Sequence, residues 1–191
     1  MPKLHVILAS TRPGRTGAAI ADWFMAHART HPGFDTTLVD LTDVNLPFLD
    51  EPAHPSQRLY THDHTRRWSA LVDEADAFVF VMPEYNNGIT APLKNALDFV
   101  FHEWADKPVA FVSYGGIASG TRAVQMTKQV VLALRMHPVP EAVTINLRDV
   151  IRDGAVHPTE QMDQTAGTML DALLGLTKVW EAHRRRAPVG A

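Results

Sequence analysis

The chain has 191 residues, one ordinary domain by length, and at that size a fold buries about 70% of its unfolded surface with no metal or disulfide staple. Hydrophobic residues at 46% and charged residues at 20% exclude a disordered chain, and 18 basic against 21 acidic side chains leave a net charge of −3, which argues against a nucleic-acid binder and a polybasic membrane anchor. The absence of cysteine excludes disulfides, thiolate nucleophiles, CxxC redox pairs and cysteine-held zinc or iron–sulfur centres, so any redox chemistry needs a bound cofactor.

In chain order, the first apolar run is 4–9 (LHVILA), too short for a signal h-region, and no later run approaches the ~20 residues of a membrane span. The expected location is therefore cytoplasmic. This run reads as a strand and leads into Ser10-Thr11-Arg12-Pro13-Gly14-Arg15-Thr16-Gly17, then into a helix over 16–29 with Ile20, Trp23, Phe24 and His27 on one stripe. Hydroxyls, two guanidinium groups, a flexible glycine and a helix start within eight residues are the inventory of a phosphate site. A polar turn capped at Thr16 is the plainer reading. No GxGxxG follows the strand, and no GxxxxGK[ST] occurs. Without a cysteine nucleophile, such a loop would bind phosphate and leave it intact.

A second strand over 36–41 precedes a loop-like stretch, 51–67, that holds His54, His62 and His64. These histidines read more simply as a solvated loop than as a metal site, because no further ligand cluster accompanies them. The loop would otherwise border the pocket mouth or a subunit contact. A helix over 62–75 carries Trp68, Leu71 and Val72, and a third strand follows at 77–82.

That strand ends in Pro83-Glu84-Tyr85-Asn86-Asn87-Gly88, a flat aromatic and amide surface suited to a heterocycle. Glu84 has no histidine or second acid beside it in the loop, which counts against a general base. A helix over 90–104 opens with Thr90 as N-cap and Pro92 in its first turn. Its apolar stripe, Leu93, Leu97, Val100, Phe101 and Trp104, packs the core. The fourth strand, 108–113, runs into Ser113-Tyr114-Gly115-Gly116-Ile117-Ala118-Ser119-Gly120, where glycines would admit the face of a ring. A glycine-rich turn into the next helix is the alternative. That helix, 119–135, carries Met126, Val130 and Leu134, and a fifth strand over 142–147 precedes a helix over 159–182.

Near-continuous apolar strands alternating with helices predict an α/β fold: a doubly wound, five-stranded parallel sheet of flavodoxin-like strand order 2-1-3-4-5. Ligands in such sheets bind beyond the carboxyl ends of the strands, at the switch point between strands 1 and 3. Residues 1–182 read as one domain, and 183–191, opening with His183-Arg184-Arg185-Arg186, as a flexible basic tail.

The S-x-R-x-x-R loop, the string PEYNNGITAPLKNALD and the string SYGGIASG together resemble the NADPH-dependent FMN reductases, whose relatives include quinone, azo-dye and chromate reductases. The likeness runs over about residues 3–135. It implies FMN, with its phosphate among Ser10, Arg12, Arg15, Thr16 and Gly17. It places Pro83, Glu84, Tyr85 and Asn86 along the isoalloxazine, and Ser113, Gly115 and Gly116 against the ring from the other side. Two departures stand out: Ser119 where a glycine is common, and Thr16 where asparagine or serine is common. The resemblance also implies NADPH or NADH as donor, a small-molecule acceptor, no catalytic side chain, and a homodimer or homotetramer. A flavodoxin-type electron carrier without NAD(P)H turnover is the competing reading, weakly supported by the modest negative charge.

Overall fold

Successive side chains of the three central strands enter different cores, one on each face of the sheet. The structure, a computed structural model, describes residues 1–186. From the amino end come β1 (Lys3–Leu8), α1 (Gly17–Thr30), β2 (Asp35–Asp40), the short α2 (Leu41–Val44), α3 (Asp63–Glu74) and β3 (Ala77–Pro83). Then follow α4 (Ala91–Asp98), β4 (Pro108–Gly115), α5 (Thr121–Ala133) and β5 (His137–Asn146). The short α6 (Leu147–Val150), a hairpin of β6 (Ile151–Arg152) and β7 (Ala155–Val156), and α7 (Glu160–Arg186) complete the described chain.

The sheet is parallel, in the order β2-β1-β3-β4-β5, as the alternation of elements predicts. Along β3, Val79 and Val81 face the core under α1 and α7, while Phe78, Phe80 and Met82 face the one under α3, α4 and α5. Along β4, Ala110, Val112 and Tyr114 divide from Val109 and Phe111 in the same way. The two-residue period of a strand, covered on both sides, makes the run read as uniformly apolar.

The edges depart from that expectation. β2 is half-exposed, since no strand covers its outer side. β5 starts at His137 rather than 142, and carries Pro138 and Pro140, which an edge strand tolerates. Its pairing with β4, through a bulge between Val109 and Phe111, decides this, not its apolarity.

Two helices differ from their predicted form. α4 stops at Asp98, and His102–Trp104 forms a separate 3₁₀ turn. The break buries Glu103, whose carboxylate accepts from Tyr60 Oη at 2.9 Å, Ser69 Oγ at 2.7 Å and the Phe101 amide at 3.2 Å. On α5, Met126 is exposed, and the buried stripe is Ala123, Val124, Thr127 and Val131.

At the carboxyl end, α7 runs on through 183–186, the first residues of the stretch read as a basic tail. Arg184 donates to the Asp106 carbonyl at 2.7 Å and to Asp76 at 2.9 Å, pinning this turn beneath the sheet. Residues 187–191 of the expected tail lie outside the described residues. Among the described residues no helix is long and apolar enough to cross a membrane.

Candidate functional site

Strands β1 and β3 send their connections to opposite faces, and the loops after β1, β3 and β4 meet at the cleft this opens. A cavity of about 170 Å³ lies there. Ser10, Arg12, Arg15 and Thr16 line it from the first loop, Pro83, Glu84 and Tyr85 from the second, and Gly115 and Gly116 from the third. Nine of the twelve residues named from sequence therefore share one cavity. Tyr114 and Leu147 line it as well and were not anticipated.

The start of α1 is prepared for an anion. Thr16 precedes the helix but makes no side-chain cap, and no acidic residue stands in the first turn. The first-turn amides thus keep free donors at the positive end of the helix. The two arginines differ in duty. Arg12 is exposed at the cavity. Arg15 donates to the Ser10 carbonyl at 2.6 Å and to the Thr42 hydroxyl, and pairs with Asp40. Asp40 also caps α2 by accepting from the Thr42 amide at 2.8 Å. Arg15 therefore braces the loop against the end of β2, and its charge is already matched.

The loop after β3 is a tight turn. Tyr85 and Gly88 exchange backbone hydrogen bonds of 3.2 and 2.9 Å, with Asn86 and Asn87 between them at φ 49° and 67°. Asparagine is among the few residues that tolerate that left-handed pair. Asn86 is exposed on the turn and outside the cavity lining. Tyr85 Oη lies 3.2 Å from Ser10 Oγ, joining the first two loops.

Glu84 joins the second and third. Its side chain is only 9% exposed, and accepts from the Arg122 amide at 3.0 Å and the Arg122 guanidinium at 3.1 Å. The same guanidinium donates to Asn87 Oδ1 at 2.9 Å. A carboxylate at the start of α5 with these partners is a clamp, and its lone pairs are committed to it.

The third loop depends on special backbone. Gly120 has φ +84°, and a Cβ there would stand 2.6 Å from Ser113 Cβ and 2.7 Å from the Tyr114 nitrogen. Ser119 holds φ 52°, so the position where a glycine is common does adopt a glycine-favoured conformation. Ser113 is fully buried and donates to the Ser119 carbonyl at 3.0 Å. It supports the loop from behind, outside the cavity lining. Gly116 is open, with nothing within 4 Å of an added Cβ.

Gly17 also lies outside the lining, and the reason is its neighbour. A Cβ on Gly17 would stand 2.2 Å from Tyr114 Oη. Successive strand residues point to opposite faces, so Ser113 turns away from the cavity while Tyr114 reaches it. That alternation was the signal for Tyr114. Burial raises the Tyr114 phenol well above its ordinary range, so it remains a neutral donor.

The histidine-bearing segment is fastened elsewhere. His54 accepts from the Ser56 amide, His62 and His64 stack with centroids 5.1 Å apart, and His64 Nε2 lies 2.9 Å from Asp50. Among the described residues no group of three or more metal-ligating side chains is assembled.

These features suit a phosphorylated flavin: free first-turn amides and an exposed Arg12 for the phosphate, an open glycine surface and Tyr85 for the ring. A family model described as NADPH-dependent FMN reductase matches residues 2–148. An NAD(P)H-dependent FMN reductase of Schizosaccharomyces pombe is 39% identical over 98% of this chain and 94% of its own. One from Nectria is 32% identical over 95% of this chain and 96% of its own. Among solved structures, the flavoenzyme NAD(P)H:(acceptor) oxidoreductase of Paracoccus denitrificans superposes with a TM-score of 0.74, covering 94% of this chain and 98% of that one at 19% identity. At that identity the likeness is one of fold.

Proposed function

The chain belongs to the NADPH-dependent FMN reductase family, and from that premise we propose that it is an FMN-dependent NAD(P)H oxidoreductase reducing a quinone, a free flavin or a similar small acceptor. Bound FMN would supply the chemistry, hydride acceptance from the nicotinamide and electron transfer to the acceptor, with the two substrates alternating in a ping-pong cycle. The observation that carries this reading is the cavity itself. It combines an uncapped helix start, an exposed arginine and an open glycine face, with the one acid of its lining, Glu84, tied to Arg122.

The protein's share of the work is binding and orientation. Amides at the start of α1 and Arg12 would hold the phosphate. Arg15 keeps the loop in register by gripping Asp40 and the Ser10 carbonyl. The Glu84–Arg122–Asn87 clamp fixes the two ring-facing loops relative to each other. Within the turn the Tyr85 and Gly88 amides donate to each other's carbonyls, so the amides of Asn86 and Asn87, with those of Gly115 and Gly116, would supply neutral donors for the polar edge of the ring. No proton has to be moved by a side chain.

The test is a visible spectrum of the purified protein with FMN, followed by NADPH without oxygen. Bleaching of the bound flavin bands, and their return on adding a quinone, is expected. A bound flavin that NADPH and NADH both leave oxidised would favour an electron carrier instead.

A further inference from the structure

Tyr114 poses a problem that the ligand-free fold leaves unsolved. The residue is 4% exposed, and its hydroxyl is buried with no hydrogen-bond partner among the described residues. An orphaned buried hydroxyl destabilises the fold, because the hydrogen bonds it made to water are not replaced. Ordinary core packing would be served equally well by phenylalanine. Yet the sequence places glycine at residue 17, where any Cβ would collide with this oxygen.

The surroundings say what the hydroxyl is for. It lies at the first residue of α1, beside Ser10, whose own hydroxyl is 3.2 Å from Tyr85 Oη. Three hydroxyls, two of them sharing the Ser10–Tyr85 hydrogen bond, thus gather near the positive end of a fourteen-residue helix with no acid in its first turn. Donors in surplus over acceptors fit an anion with several oxygens. Arg15, the obvious cation, is spent on Asp40, which leaves neutral donors and Arg12 to do the holding.

We propose that the Tyr114 hydroxyl is a phosphate ligand of the bound flavin nucleotide, donating from the space that a side chain at residue 17 would otherwise fill. This rests on the FMN reading above and extends it to a residue of the third string to which the resemblance gives no role. Gly17 then serves by its size: it admits the phenol beneath the helix start. Selectivity for FMN over riboflavin comes from this hydroxyl together with Arg12 and the helix amides.

The experiment compares FMN with riboflavin on the full chain stripped of flavin, reading dissociation constants from flavin fluorescence. In Tyr114→Phe, FMN should bind roughly 10-fold or more weakly, as for loss of one hydrogen bond to a charged group, while riboflavin changes less than about twofold. The melting temperature of the flavin-free variant should equal or exceed that of the parent, because the hydroxyl removed had no partner. Gly17→Ala should likewise weaken FMN selectively. Unchanged FMN affinity, parallel loss of both flavins, or a lower melting temperature without flavin would each overturn the proposal. If the parent protein takes up neither flavin, it is the FMN reading that falls.

Discussion

Arg15 and Asp40 form an ion pair across the mouth of β1 and β2, each side chain only 17% exposed, and so tie the anion loop to the sheet's edge. The pair separates two kinds of arginine in one loop, and they should fail differently. Arg12→Ala is expected to weaken FMN binding about 10-fold while leaving unfolding of the flavin-free protein within about 0.5 kcal/mol of the parent. Arg15→Ala should cost about 1–3 kcal/mol of stability, measured by urea unfolding, and weaken FMN as a consequence. Equal stability of the two variants would contradict this division.

Glu84 and Arg122 should behave as one unit. Glu84→Gln and Arg122→Ala are each expected to destabilise by about 1–2 kcal/mol, and the double variant by clearly less than their sum. A double-mutant cycle in chemical denaturation measures it. Additive losses would mean that the two loops are held by something else.

The glycines of the third loop offer a contrast of cause. Gly120→Ala forces a side chain against Ser113 and Tyr114 at a positive φ, so a loss of about 2–4 kcal/mol is expected. Gly116→Ala meets nothing within 4 Å and should leave the fold untouched. It should nevertheless weaken FMN binding, because the new methyl enters the space assigned to the ring. Thermal melts and flavin titrations of both variants separate the two effects.

Acid should find His5. It is buried edge-on against Phe78, their centroids 6.3 Å apart, and burial lowers its pKa below the ordinary 6.5. On acidification the unfolded chain therefore takes up this proton before the folded one. Stability falls as pH drops below about 6.5, in the window between the unfolded and folded values. Urea midpoints at pH 7 and pH 5 should converge in His5→Phe relative to the parent. An unchanged pH slope would remove His5 from the account.

Much of this was legible in the sequence, and the reasons are physical. The central strands announced themselves because burial on both faces leaves no polar position to interrupt them, as Phe78 to Met82 shows. Thr90 and Pro92 marked the start of α4, where Thr90 Oγ accepts from the Leu93 amide at 3.4 Å. The edge strand β5 was half hidden, since Pro138 and Glu141 carry no apolar signal and only pairing with β4 makes them strand. The short α2 and α6 rest on single caps, Asp40 and Asn146, too small to stand out from a turn.

At the site, composition located the loops but could not assign partners within them. Arg12 and Arg15 look alike in sequence; Asp40, 25 residues after Arg15, decides which one is spent. Tyr114 and Ser113 stand side by side in the string, and only the alternation of a strand sends the tyrosine to the cavity and the serine away from it.

The most direct test of the central claim is a crystal structure of the protein grown with FMN. The account expects the phosphate at the first turn of α1, within hydrogen-bond reach of the helix amides and Arg12, with the ring between the 85–88 turn and Gly115–Gly116. Flavin bound elsewhere, or a phosphate facing away from α1 with Arg12 directed to solvent, would contradict it.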